Sequence, residues 1–185
     1  LPSPRRFNGF VNTLLGDWSV AGVTTIQSGL PISLIGTNLN NAFGITTDRA
    51  QLAAGCTNAD LATSGSTQSR LNNNFNRSCI LRDSAGTAIW RVIGDDGQAT
   101  DFGNSGVSII TGPGQNNFDI AIIKRTPLRP LGESSNVEFR TEFFNVFNHP
   151  QFNNPDSNVS SPTFGVISTT SVNPRIIQFA LKLNF

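Results

Sequence analysis

The sequence has little charge and no long apolar run. Charged residues make up 14% of its 185 positions, against about 25% in an ordinary soluble domain. The 13 Lys and Arg residues nearly balance the 12 Asp and Glu residues, for a net charge of +1. This balance argues against a nucleic-acid partner or an anionic membrane patch, since either needs a basic excess. No segment approaches the roughly 18 apolar residues of a spanning helix, so we expect strands to make any membrane contact.

Residues that carry catalysis are also scarce. His149 is the only histidine, so the chain completes no Ser-His-Asp triad and no histidine-rich zinc site. Asp95, Asp96 and Asp101 cluster without the spacing of a calcium loop, which favours a solvated turn. We therefore expect no enzyme, no catalytic or metal-binding residue and no cofactor. Methionine is absent and Leu1 comes first, so we expect a piece of a longer protein.

Four segments alternate apolar and polar residues with the period of a β-strand. Their positions are 17–27, 117–128, 136–147 and 175–185. Residues 129–135 link the second and third segments, which predicts a hairpin. The first fifteen residues have apolar side chains at helical spacing and predict a short surface helix. Ser28–Pro31 has turn chemistry, and Ile32–Ile35 is predicted to begin a further strand.

Strands with one apolar and one polar face suit two kinds of protein. In a soluble sandwich the apolar face is the core, whereas in a transmembrane barrel it meets lipid and the polar face lines the lumen. Segments of about 11 residues are long enough to cross a bilayer, and sandwich strands are about half as long. The link 129–135 is short while the polar stretches 36–115 and 148–174 are long, as in outer-membrane barrels. The sequence therefore predicts an all-β, antiparallel transmembrane barrel, represented by about four to six strands.

The predicted strands also resemble a known family. The last one, RIIQFALKLNF, resembles the C-terminal assembly signal of bacterial outer-membrane barrels, in which a final Phe follows apolar residues at alternate positions. Four stretches together resemble the end of the barrel of Oar-like TonB-dependent receptors: GDWSVAGVTTIQSGLPISL, GPGQNNFDIAIIKRTPL, VEFRTEFFNVFNHPQFNNP and FGVISTTSVNPRIIQFALKLNF. Those receptors are large proteins with a carboxypeptidase-regulatory-like domain at the N-terminus. FRTEFFNVFNHPQF is the most specific stretch.

The resemblance implies a function and a location. Such a receptor takes up a bulky nutrient across the cell outer membrane of a Gram-negative bacterium. Residues 1–185 are then the C-terminal part of a single barrel domain, with 36–115 as an extracellular loop and 175–185 as the terminal strand. The short links Ser28–Pro31 and 129–135 are expected at the periplasmic rim. The implied partners are outer-membrane lipid, the barrel-assembly machinery and the TonB complex, which acts through N-terminal regions outside this sequence.

The barrel hypothesis assigns roles to two sets of side chains. Apolar residues of the last strand form the expected assembly signal: Phe179, Leu181, Leu183 and Phe185. Charged residues on the opposite face are expected to line the lumen: Arg125, Glu138, Arg140, Glu142 and Lys182. The alternative function is a soluble β-sandwich adhesion or carbohydrate-binding module, in which these charges form surface pairs of little energetic weight.

Two cysteines, Cys56 and Cys79, fall in the predicted long loop. In a family exported beyond the cytoplasm they are candidates for a disulfide that staples this loop. The alternative is a pair of free surface thiols.

Overall fold

The computed structural model describes residues 9–37, 44–89 and 102–185. The chain divides into two compact units. The sheet unit comprises the described residues up to Gln27 together with 115–151 and 172–185, and the insert unit comprises those within 28–114 and 152–171. No helix among these residues has the length and hydropathy needed to cross a membrane.

Strands are the main regular structure of the described residues. In chain order the elements are α1 (Gly9–Leu15), β1 (Trp18–Gln27), β2 (Pro31–Ile32), β3 (Ile35–Thr37), β4 (Thr47–Arg49), β5 (Ile110–Thr111), β6 (Gln115–Pro127), β7 (Asn136–Phe144) and β8 (Ile176–Asn184). Short 3-10 turns span Asn58–Leu61, Gln68–Arg70, Arg77–Cys79 and Arg129–Leu131. The helix predicted near the start of the chain is α1.

The sheet unit is built on one antiparallel sheet with the strand order β1-β6-β7-β8. Its strands are 10, 13, 9 and 9 residues long, close to the roughly 9–11 residues of a transmembrane strand. One row of paired residues crosses all four strands: Trp18, Lys124, Phe139 and Leu181. The sheet is open, with β1 and β8 at its edges, so these four strands do not close into a barrel by themselves.

The path of the chain after β1 differs from the prediction. The sequence predicts that a further strand begins at Ile32–Ile35; only the short strands β2 and β3 lie there, and β1 pairs directly with β6, with Gln27 opposite Gln115. The chain therefore leaves and re-enters the sheet at one end, and the turn 128–135 lies at the other end. The prediction that Ser28–Pro31 shares a rim with 129–135 is wrong. The reason is burial, because Ile32 enters the core of the insert unit instead of a membrane-facing sheet.

The insert unit has a core of its own. Short strands pair within it, β2 with β5 and β3 with β4. The rings of Phe75 and Phe164 lie 5.3 Å apart between centroids. The buried core residues are Ile32, Leu34, Ala50, Leu61, Phe75, Cys79, Ile80, Ala88, Ile110, Val159 and Phe164. Much of the stretch predicted as a long loop (36–115) is thus packed structure.

A disulfide joins Cys56 and Cys79 in the insert unit, with their Cα atoms 5.6 Å apart. The bridge lies in the core, since Cys79 is buried and Cys56 packs against the same cluster. Closing a loop of 23 residues stabilises a fold by about 3 kcal/mol in the chain-entropy model. The bridge compensates for a small core that is otherwise surrounded by polar loops.

The two ends of segment 28–114 lie close together at glycines, which have no side chain. The N–H of Gly112 donates to the carbonyl of Leu30 at 2.8 Å. A Cβ added at Gly29 would lie 1.7 Å from the carbonyl oxygen of Gly112. Only glycine fits at position 29 without moving the neighbouring backbone.

Candidate functional site

The charged face of the sheet carries a row of three ionised side chains. Arg125 on β6 stands opposite Glu138 on β7, which stands opposite Lys182 on β8. The Nε of Arg125 donates to Oε2 of Glu138 at 2.8 Å. Strict alternation along each strand puts all three on one face, and the short turn 128–135 fixes the register between β6 and β7. The result is a cation-anion-cation row near the turn.

A second ion pair lies further along the same face. The Nη2 of Arg140 is 2.6 Å from Oε1 of Glu142, two residues away on β7. Arg140 stands opposite Ile123 and Ala180, so no charged residue faces it directly across the sheet. The five residues predicted to line a lumen therefore share one face, three as a cross-strand row and two as a pair within β7.

Small side chains leave room beside this pair. Ala21 on β1 stands opposite Ala121 on β6, which stands opposite Glu142. A depression of about 250 Å³ opens there, between these residues and Phe144. The lining of this depression combines the charges of Arg140 and Glu142 with small and apolar side chains.

The opposite face of the sheet is apolar and exposed. Phe179 is 68% exposed and Leu181 is 74% exposed. The rings of Phe139 and Phe179 stack with their centroids 6.3 Å apart. Leu183 points to this face as well, and Phe185 directly follows β8 and is exposed. Apolar surface of this extent is unfavourable in water, at about 25 cal/mol per Å², and favourable against hydrocarbon.

A polar corner closes the end of β7, in the NVFNHPQF stretch. Asn145 is buried with a positive φ of 51°. Its N–H donates to Oδ1 of Asp119 at 2.8 Å, and its side chain accepts from the N–H of His149 at 3.0 Å. The amide of Asn145 also donates to the carbonyls of His149 and Asn173. One asparagine thereby ties the end of β7 to β6 and to the segment before β8.

Gln151 extends the sheet at the same corner. It is 1% exposed, its Nε2 donates to the carbonyl of Asn116 at 2.7 Å, and its Oε1 accepts from the N–H of Asn116 at 2.6 Å. The side-chain amide thus pairs with β6 as a backbone peptide would. The same Nε2 lies 2.9 Å from Nδ1 of His149, which gives the only histidine a structural environment.

Sequence reasoning missed Asn145 and Gln151 as key residues of this corner. Each is a polar residue next to a phenylalanine in the sequence, and this contrast was the available signal that it has a structural role. The acidic cluster of Asp95, Asp96 and Asp101 lies outside the described residues. Within the residues that are described, no group of three or more His, Cys, Asp or Glu is placed to hold a metal ion.

An antiparallel sheet of bilayer-crossing strand length, with one exposed apolar face and one charged face, is typical of membrane proteins of the β-barrel class. A family model described as "Outer membrane beta barrel domain" matches residues 1–178. The chain belongs to this family of outer membrane β-barrel domains, which points to the outer membrane as its location. No curated protein matches the chain. No solved structure matches it either.

Proposed function

We propose that the chain is the C-terminal barrel portion of an Oar-like TonB-dependent receptor that takes up a bulky nutrient across the outer membrane of a Gram-negative cell. The observation that carries this proposal is the two-faced sheet of β1, β6, β7 and β8. Its charged face holds an ordered row, Arg125, Glu138 and Lys182, while its other face is mostly apolar and exposes Phe179 and Leu181. The charged face suits the lumen of a barrel that admits a large polar solute. The apolar face suits contact with lipid.

In this proposal the parts of the chain have distinct roles. The apolar face meets lipid, and the charged face lines the lumen and contacts the plug or the passing solute. The insert unit lies on the extracellular side, where its disulfide keeps it folded. β8 is an edge strand with alternating Phe179, Leu181 and Leu183, so its free edge can add to the assembly machinery before the barrel closes. The TonB complex acts through a plug and TonB box outside these residues.

The alternative function, a soluble sandwich module for adhesion or carbohydrate binding, needs a second sheet over the apolar face. The described residues leave Phe179 and Leu181 exposed, so the structure does not favour it.

Uptake by living cells tests the receptor proposal. A strain lacking the full-length gene is compared with wild type on a panel of oligosaccharides, peptides and metal chelates too large for general porins. We expect at least one solute whose uptake is lost in the deletion strain, restored by the gene, and abolished in wild type by a protonophore. The matched control is a small solute that crosses through porins and is unaffected in both strains. If no uptake depends on both the gene and the proton gradient, the proposal is wrong.

A further inference from the structure

One charged side chain stands on the apolar face of the four-stranded sheet. Lys124 on β6 is opposite Trp18 on β1, and both point to the face that carries Phe139 and Leu181. All other side chains of these strands on that face are uncharged. An ammonium group facing lipid is costly unless it finds partners.

Lys124 finds its partners at the end of α1. Its Nζ donates to the carbonyl of Thr13 at 2.6 Å and to that of Gly16 at 2.8 Å. The last carbonyls of a helix have no partner within the helix and form the negative end of its dipole, which favours a cation there. The ammonium also lies 5.1 Å from the centroid of the Trp18 ring.

Trp18 binds the same helix end. Its Nε1 donates to the carbonyl of Leu14 at 3.0 Å. Since Trp18 and Lys124 both project from the apolar face, they hold the C-terminal end of α1 on that side of the sheet. In a barrel that side is the outside, where the neighbour is lipid.

Trp18 and Lys124 also lie at a defined level along the strands. Trp18 is the first residue of β1, and β6 ends three residues after Lys124, at Pro127. The helix end therefore lies near the rim that carries the turn 128–135. An indole paired with a lysine is the combination that favours the level of the lipid head groups. Leu14 is 56% exposed and Leu15 is 50% exposed.

We propose that α1 is an interfacial helix, held against the outer wall of the barrel by Lys124 and Trp18, with Leu14 and Leu15 in contact with phospholipid acyl chains. The lipid occupant follows from continuity, because the helix end lies on the same face as the lipid-facing strands. The inference rests on the proposed placement of this face in a bilayer. It adds a membrane contact that the strands do not provide, at the rim with the short turn.

Spin labels in the full-length receptor, reconstituted in phospholipid vesicles, test the contact. The label is placed in turn at Leu14→Cys and Leu15→Cys, as the only free thiol, and its collision rates with oxygen and with a water-soluble nickel chelate are compared. We expect oxygen, which partitions into lipid, to give the higher rate at both positions. Leu181→Cys on β8 serves as the lipid control, and Ser134→Cys in the short turn as the water control.

The controls separate two kinds of failure. If the label at position 181 reports lipid while those at 14 and 15 report water, the interfacial helix is wrong and the barrel proposal stands. If position 181 also reports water, the placement of the apolar face is wrong and both proposals fall.

A second variant tests the role of Lys124 as a positioning residue. Lys124→Met keeps an unbranched side chain, one atom shorter, but removes the donors to Thr13 and Gly16. We expect the label at position 14 to become more mobile and more accessible to nickel, while Lys182→Met on the charged face leaves it unchanged. An unchanged spectrum in Lys124→Met would show that the lysine does not hold the helix.

Discussion

Arg125 and Glu138 face each other across β6 and β7, with Nε of the arginine 2.8 Å from Oε2 of the glutamate. On the far side of Glu138 stands Lys182, its partner on β8. One carboxylate thus lies between two cations in the register of three neighbouring strands. In the correct register the charges alternate, and a shift by one residue would send these side chains to the other face.

Reversal of the central charge should therefore weaken the sheet, since like charges directly opposite are destabilising. We expect Glu138→Lys in the full-length protein to lower the urea midpoint of the inserted barrel more than Glu138→Gln does. Adding Arg125→Glu to Glu138→Lys should recover part of the loss, because one opposite-charge pair is restored. Unfolding followed by gel shift measures the midpoints. Equal midpoints for all three variants would contradict a role of the row in register.

The two faces of β7 and β8 should differ sharply in their tolerance of charge. Phe179→Arg should cost about 2–4 kcal/mol of barrel stability, because Phe179 pairs with Thr141 near the middle of the strands and a charge there faces the centre of the bilayer. Arg140→Ala, on the charged face, should leave insertion nearly intact, because an exposed ion pair contributes little. Reversible unfolding in phospholipid vesicles measures the difference. Equal damage from both faces would instead indicate a soluble protein packed on two sides.

The disulfide should matter to the insert unit alone. Replacing Cys56 and Cys79 together by serine removes a cross-link that closes 23 residues, and we expect the insert unit to lose about 3 kcal/mol. Limited proteolysis of intact cells should then cut within 28–114 far faster than in wild type. The heat-induced gel shift of the barrel should stay unchanged. Reduction of the wild-type protein is the matched control and should give the same cleavage pattern.

Acid should loosen the turn that follows Asp156 in the insert unit. Burial by itself raises the pKa of Asp156, but hydrogen bonds from the side chains of Ser161 and Thr163 and from the N–H of Asn158 outweigh it and lower the pKa. A lowered pKa in the folded state means that the ionised carboxylate stabilises the fold. This contribution is complete above the unfolded value, about pH 4, and is lost as the pH falls through the lowered folded value.

Hydrogen exchange of the 156–166 backbone as a function of pH measures this loss. We expect protection, corrected for the intrinsic pH dependence of exchange, to fall only below about pH 4. Asp156→Asn should be less protected at neutral pH and should lack the acid transition. An acid transition that persists in the asparagine variant would assign it to another group.

The corner at the end of β7 should be sensitive to a single amide. Gln151→Ala leaves the N–H and the carbonyl of Asn116 without their side-chain partner, and each lost hydrogen bond costs about 0.5–1.5 kcal/mol. Gln178→Ala, the same change at an exposed glutamine of β8, is the control and should cost little. Urea unfolding of the inserted barrel compares the two. Similar midpoints for both variants would show that Gln151 is not a structural part of the sheet.

Features that depend on neighbouring residues can be predicted from the sequence, whereas features that depend on distant segments cannot. The faces of β6, β7 and β8 follow from the sequence, because side chains alternate along any extended strand whatever the strand pairs with. For the same reason the sequence alone predicts that five charged residues share one face: Arg125, Glu138, Arg140, Glu142 and Lys182. The hairpin of β6 and β7 also followed, since its turn is short and local.

Tertiary structure decided the rest. The pairing of β1 with β6 spans the whole insertion, and no local pattern distinguishes it from pairing with a strand at Ile32. The core of the insert unit combines residues of 28–114 with Val159 and Phe164. These two residues are distant from the others in sequence, and their neighbours along the chain are mostly polar. Gln151 pairs with Asn116 only because the chain that follows β7 lies beside the start of β6. Alternation is a property of single residues along one strand, whereas these contacts exist only when the chain has brought distant segments together.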